Sequence, residues 1–429
     1  MAVIAVSGCE GGFTCEGECG QDGDVTPDPE QDAGGDTEED RQEDDGEDDG
    51  VEIADAQEAT EDAVEDPLTD EDAPVDIVEE EEIVEPPPVY SFVVYGDNQF
   101  ATTSCTSGVP ERMAVPEAIL ELDPTFILHT GDLMDHAYDD GAYEAFVGCY
   151  SGMLAAIPFF PTMGNHDAGS GGIWNYKAFV EDLLYVDNPA AYGAGWDADF
   201  EIWYEDDPTE YSTDFDYPTH RDIVPSGVCF KTNYAFKYAN AYFISFEIGT
   251  RWWTNTPTTW VETHLDRARS DPSVRHVIAT MHHPMYSTTM AEAGDGDSLE
   301  PVRRHYEDLL RLYDVTLVFS GHAHVYDRFL VPDDGSATRA RPPPTEYPHD
   351  GEGVHYIVTG GGGGPLPNNC SPPPGERDEV SYDYSQQRGC GYHVTLVEVD
   401  GDALQLSIIG VQGSAGDFTT SVWDTFAIR

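Results

Sequence analysis

This sequence has very little positive charge. Its 19 Lys and Arg residues stand against 84 Asp and Glu, a formal charge of −65 at pH 7. Such a surface repels nucleic acid and anionic membranes, so no nucleic-acid-binding face is expected. Long apolar runs are also missing, which excludes a membrane-spanning helix. No internal repeat is visible. The eight cysteines show no zinc-site spacing.

What is present is divided unevenly. Residues 1–88 hold 34 acidic residues and a single base, Arg41. This stretch is poor in aromatics and rich in Gly and Pro, so it buries too little apolar surface to offset the entropy of ordering. We read 1–88 as a disordered acidic tether ending in the stiff Pro86-Pro87-Pro88. Residues 89–429 are then one domain, still carrying a formal charge of about −32 and long enough for a sizeable core.

The chain starts with apolar Met1–Val6, then Ser7-Gly8-Cys9. This resembles a bacterial lipobox lacking a basic n-region. A lipid anchor through Cys9 and an extracytoplasmic setting follow as expectations: a cell-surface or periplasmic lipoprotein, or a secreted protein. Cys370 and Cys390 bracket a Pro/Gly-rich loop and are a plausible disulfide outside the cytoplasm, with Cys105 and Cys149 as a second pairing.

Within the domain, apolar β-like runs alternate with helical stretches, the pattern of an α/β fold. Strands are expected at Ser91–Tyr95, Thr125–Thr130, Phe159–Met163, Cys229–Tyr238, Ala241–Phe246, His276–Met281, Val315–Ser320, Val354–Thr359, Tyr392–Val399 and Ala403–Ile409. Helices are expected around Pro116–Leu122, Ala142–Leu154, Thr258–Arg269 and Leu299–Leu312. Residues 169–226 have no sustained period and read as a long insertion.

Several of the strands run into polar signatures: Gly96-Asp97-Asn98-Gln99, Gly131-Asp132, Gly164-Asn165-His166-Asp167, Met281-His282-His283-Pro284 and Gly321-His322-Ala323-His324. Carboxylates, an amide and imidazoles delivered from strand ends are what a two-metal hydrolytic centre needs.

This ordered set resembles the calcineurin-like metallophosphoesterases. Ile157–Pro161 before Gly164, His322 through Arg328, and Tyr356 through Gly363 are closest to the purple-acid-phosphatase-like branch. The resemblance implies a four-layer αββα sandwich of two mixed sheets. It also implies two divalent or trivalent metal ions, Fe, Mn or Zn. Asp132 would bridge them. Asp97 and His324, with Gln99, would hold the first; Asn165, His282 and His322 the second. His166 would contact the phosphate, with Asp167 orienting it. The implied activity is hydrolysis of a small-molecule or lipid-headgroup phosphoester, monoester or diester.

Three departures stand out. Gln99 occupies a position that is often His. Asp135 stands where the purple branch has Tyr; as a ligand, an acceptor for a neighbour, or a surface group, it is open. A later catalytic His is not apparent between Tyr286 and Leu299, and His283 is a candidate replacement. These departures motivate an alternative, a surface binding module that keeps the fold with weak or no catalysis. His129, His136, His220, His264, His276, His305, His349, His355 and His393 read as structural. The Gly360–Gly364 run lacks the Lys and helix of a phosphate loop and is read as allowing close backbone approach.

Overall fold

Phe92, Val93, Val94 and Tyr95 are all fully buried. A strand covered on both faces needs such a continuous apolar run. It is β1 (Val89–Tyr95), and it pairs in parallel with β2 (Phe126–His129), which pairs in parallel with β3 (Phe159–Pro161). The computed structural model describes residues 87–429 apart from scattered positions and the segments 181–199, 205–232, 247–257, 290–302 and 368–382. Cys9 and nearly all of the expected tether lie outside the described residues, as does most of the expected insertion.

On its other side β1 pairs antiparallel with β13 (His393–Asp400), which leads to β14 (Ala403–Ser414) and β15 (Asp417–Ile428). The short β10 (Glu346–Tyr347) pairs with β15 only at Ala427 and Ile428. Among the described residues, no other strand lies along the outer edge of β15.

The second sheet runs in the order β12 (Ser385–Gly389), β9 (Tyr326–Val331), β11 (Val354–Thr359), β8 (Leu317–Ser320), β7 (His276–Thr280), β6 (Ala241–Ser245), β5 (Tyr234–Tyr238), β4 (Phe200–Tyr204). Its centre, β6–β7–β8–β11, is parallel. Both sheets are therefore mixed, as expected. Ala239, at φ 49°, makes the expected tight turn between β5 and β6.

The sheets face each other across an aromatic core in which Phe160 of the first stacks on Phe236 of the second at 4.1 Å. Strand periodicity assigns the faces. Ala241 and Phe243 join this inter-sheet core, while Tyr242 and Ile244 join a second core with Trp260, Val261 and Leu265 of α4 (Thr258–Ser270). Leu310, from helical residues 306–312, lies in that second core too. On the first sheet, α1 (Glu111–Leu122) packs on β14 and on α2 (Ala142–Ala156). Helices thus cover the outside of each sheet.

Helix α1 begins earlier than expected and contains Pro116 inside it. Proline has no N–H for the carbonyl four residues back. That carbonyl, of Arg112, accepts the Tyr150 hydroxyl of α2 instead, at 3.1 Å. Strands β4, β9 and β15 were not expected. Asp327 and Arg328 break the apolar pattern of β9, yet both are buried. Much of β15 is exposed and polar, and pairing with β14 along its length defines it. A disulfide joins Cys105 to Cys149 on α2. Cys390 is also disulfide-bonded; its expected partner Cys370 lies outside the described residues.

Candidate metal centre

The site residues sit just beyond the carboxyl ends of parallel strands, where α/β sheets bind ligands. Asp97 follows β1, Asp132 follows β2, and Asn165 opens the short helix α3 (Asn165–Ala168) after β3. His282 follows β7 and His322 follows β8. The turns that carry them are strained. Asp97, Gln99, Asp132 and His322 all have positive φ, at 59°, 39°, 55° and 65°. Non-glycine residues held there cost on the order of 1–3 kcal/mol each, and such strain gathers at functional sites.

Close packing holds these turns together. A Cβ on Gly164 would lie 2.2 Å from Asp132 Oδ1, and one on Gly321 would lie 2.3 Å from Asp97 Oδ2. The Gly360–Gly364 run approaches the same edge as expected. Gly362 N and Gly364 N donate to the carbonyls of Gly96 and Asp97, at 2.8 and 2.7 Å.

One group of donors converges around Asn165. Its Oδ1 lies 3.0 Å from His282 Nε2 and 2.7 Å from His322 Nδ1. Asp132 Oδ1 lies 3.3 Å from His282 Nε2. Asp132, His282 and His322 offer ligand atoms within 4.8 Å of one another. His282 Nδ1–H donates to the Thr130 carbonyl at 2.9 Å. In its neutral form the ring turns a lone pair toward Asn165 and Asp132. Acceptors facing acceptors there need a proton or a cation between them, and a metal ion in place of the proton fits the donor set.

A second group forms around Asp97. Its carboxylate accepts His322 N–H, and His324 Nε2 lies 3.5 Å from Oδ1. His324 Nδ1 donates to the Pro365 carbonyl, leaving Nε2 as the inward atom. Gln99 Nε2 donates to Asp132 Oδ2 at 3.3 Å, while His282 lies against Oδ1. Asp132 is thereby faced from both sides, the placement a bridging carboxylate needs.

The electrostatics follow the same geometry. Burial pushes Asp132 up, but His282, His166 and His322 outweigh it and hold the carboxyl well below its usual range. Burial pushes His282 down, but Asp132 and Asp97 lift it to about 9. Burial and then His282 lower His322 to about 4.

His166 sits at the edge of this group, partly exposed, with Nε2 4.0 Å from Asp132 Oδ2. Asp135 holds its other side: His166 Nδ1 lies 2.9 Å from the Asp135 carbonyl and 3.3 Å from Oδ1. The expectation that Asp167 orients His166 is corrected here. Asp167 is fully buried and accepts from Gly164 N, Leu133 N, Met134 N and Tyr143 Oη at 2.9–3.3 Å. It pins the loop after Asp132 to α3. Asp135 is the partner of the His166 ring, one of the three roles left open for it. Adjacency in the chain points to Asp167; Asp135, 31 residues away, is brought to the ring by the turn after β2. The His283 ring packs against His322, with centroids 4.3 Å apart and planes tilted by 34°. Burial lowers it well below the usual histidine range.

Residues 90–326 match the family model for calcineurin-like phosphoesterases.

The chain belongs to that family.

Curated relatives agree with the assignment. The chain is 29% identical over 230 residues to Purple acid phosphatase 13 of Arabidopsis thaliana, covering 53% of this chain and 38% of that one. It is 32% identical over 276 residues to an uncharacterised protein of Mycobacterium tuberculosis, covering 61% and 46%. The chain thus spans less than half the length of these relatives. The solved purple acid phosphatase from yellow lupin (Lupinus luteus) seeds shares the fold at a TM-score of 0.56 and 17% identity, covering 80% of this chain and 54% of that one.

Proposed function

We propose that this protein hydrolyses phosphoesters at a dinuclear metal centre, outside the cytoplasm. The observation that carries the reading is the convergence of Asp132, Asn165, His282 and His322 from four strand ends onto one buried point.

Asp97, Gln99 and His324 would hold one ion, Asn165, His282 and His322 the other, with Asp132 between them. When bound, two such ions neutralise phosphoryl oxygens and supply a nucleophile at neutral pH. The remaining work falls to the chain. The Thr130 carbonyl orients His282. The Asp135 carbonyl and carboxylate face His166 Nδ1 and orient the ring, with Nε2 on the side of Asp132. A proton held on Nε2 is the one that would pass to the leaving oxygen. The net acidity of the chain does not oppose a phosphoester, because bound cations dominate the local field.

The extracytoplasmic reading, surface-tethered or secreted, is supported by the Cys105–Cys149 disulfide, since such bonds persist in oxidising compartments. Lipidation at Cys9 belongs to the same proposal. The substrate we favour is a small-molecule or lipid-headgroup phosphoester.

The test is a panel of aryl phosphates, nucleotides, phosphodiesters and phospholipid headgroups, assayed with Mn, Fe or Zn. Metal-dependent release of phosphate or alcohol from at least one class is expected. Two metals bound with no turnover on any class would overturn it in favour of a binding role.

A further inference from the structure

Between the two candidate ligands Asp97 and Gln99 stands Asn98, a fully buried side chain that the proposed chemistry does not use. Its side chain ties its own turn to His129, and its backbone carbonyl ties the same turn to α1. Asn98 Oδ1 lies 2.7 Å from Nε2 of His129, which is itself fully buried. The far nitrogen of that ring, Nδ1, accepts the Gly131 N–H at 3.2 Å. Because Nδ1 accepts, the neutral ring carries its hydrogen on Nε2 and donates it to Asn98. His129 therefore clamps the Asp97–Gln99 turn to the turn that carries Asp132.

A second clamp comes from α1. Arg112 is 5% exposed and donates Nε–H to the Asn98 carbonyl at 2.9 Å. Among the described residues no carboxylate pairs with this guanidinium. Its stem passes so close to Gly363 that a Cβ there would lie 2.8 Å from Arg112 Cα, Cβ and Cγ. The Arg112 carbonyl, freed by Pro116, is tied to Tyr150 of α2. Helix α1, the glycine run and the first ligand turn thus meet at one residue.

Backbone bonds alone already run between the two turns, from Asp97 N to Gly131 O at 2.9 Å and from Gln99 N to Asp132 O at 3.0 Å. They fix the spacing of the turns. They do not hold Asp97, Gln99 and Asp132 in the left-handed region, where each relaxes toward ordinary backbone unless its surroundings over-determine it. A side-chain brace across both turns supplies that restraint.

We propose that Asn98, held between His129 and Arg112, is a positioning residue that locks the Asp97–Gln99 turn and the Gly131–Asp132 turn in one register. The proposal rests on Asp97 and Asp132 being metal ligands. The brace sets how the two ligand sets are spaced, and so whether two ions are bound as a coupled pair. It needs no contact with substrate.

The experiment titrates the chelated full chain with Mn(II) and follows binding by calorimetry and the spin coupling of bound Mn(II) by electron paramagnetic resonance. Thermal melting of the chelated protein controls for folding. The variants are Asn98→Ala, His129→Gln and the double variant. Wild type is expected to bind two Mn(II) with a spin-coupled signal. Asn98→Ala should weaken binding about 10–100-fold, the usual size of a lost support to a ligand, and uncouple the two spins. The double variant should lose little beyond Asn98→Ala alone, because the two residues act as one unit. His129→Gln keeps a donor toward Asn98, so it covers the case in which Asn98→Ala does not fold. It should weaken binding less, while still loosening the Gly131 turn.

Unchanged affinity and coupling in both single variants would overturn the proposal while leaving the metal centre intact. So would additive losses in the double variant, or a fall in chelated melting temperature with no change in affinity or coupling. Wild type that binds no Mn(II), Fe(II) or Zn(II) overturns the metal-centre reading, and this proposal with it.

Discussion

His282 Nε2 lies 3.2 Å from His322 Nδ1, across 40 residues of sequence. With the other edge of His282 donating to Thr130, the two facing nitrogens repel unless a cation or a proton lies between them. Removing metal should therefore destabilise the folded chain. At free metal near 100 times its dissociation constant, binding adds about 2.7 kcal/mol. Differential scanning calorimetry with and without chelator should show a melting temperature that rises with metal concentration. A melting temperature indifferent to Mn, Fe and Zn would count against the site.

Asp132 and His166 should fail in different ways. Asp132→Asn removes the charge faced from both sides, so metal stoichiometry and activity should fall together. His166→Ala leaves every candidate ligand in place and should keep the metals, with kcat lower by about 10²–10⁴-fold. Elemental analysis beside steady-state kinetics separates the two, and loss of metal from His166→Ala would show that its role is misassigned.

Asp135 should support His166 without holding metal. Asp135→Asn keeps the backbone carbonyl on Nδ1 and removes the charge beside the ring. Metal stoichiometry should stay at the wild-type value while kcat falls, by less than in His166→Ala. Loss of metal from Asp135→Asn, or an unchanged kcat, would exclude this role.

Iron loading tests the departures at Gln99 and Asp135. Asp135 stands where the resembling branch has its Tyr, and it faces the His166 ring. The iron form should therefore show no strong tyrosinate band in its visible spectrum. An amide oxygen is a harder ligand than imidazole, so Gln99→His should shift the metal ranking from Mn and Fe toward Zn. A purple wild-type protein, or an unchanged ranking, would contradict these expectations.

Acid should unfold the chain through buried neutral histidines remote from the metals. Burial lowers His264 to about 3, and burial with Arg328 lowers His355 to about 3. The folded values lie below the unfolded value of about 6.5. The stability each contributes is complete above pH 6.5 and is lost as pH falls toward 3, at up to about 1.4 kcal/mol per unit for each ring. An acid titration followed by circular dichroism should have its midpoint in that window. His355→Gln should move the midpoint lower; a midpoint that moves higher or stays put would refute the assignment.

The fold was legible wherever burial is simple. β1, β2, β7, β8 and β11 are continuous apolar runs, and each delivers its turn close to where the sequence places it. Strand β9 was not legible, because Asp327 and Arg328 are buried polar residues within it. Asp327 accepts from Thr288, and Arg328 pairs with Asp424, contacts that only tertiary structure supplies. Candidate ligands could be named from residue type and order. Their supporting groups could not: the Thr130 carbonyl, the Asp135 carbonyl and the orientation of the His129 ring are properties of backbone direction. The same is true of Asp167, whose neighbour in sequence is not its partner in space.

The outer edge of β15 has a colloidal consequence. From Asp417 to Thr425 it offers unpaired backbone beside β14, with no neighbouring strand among the described residues. An open edge of that length is a template for pairing between copies. At neutral pH, mutual repulsion between chains of formal charge −65 opposes such contact. Near the isoelectric point of about 4.1 that repulsion vanishes, and self-association should begin along this strand.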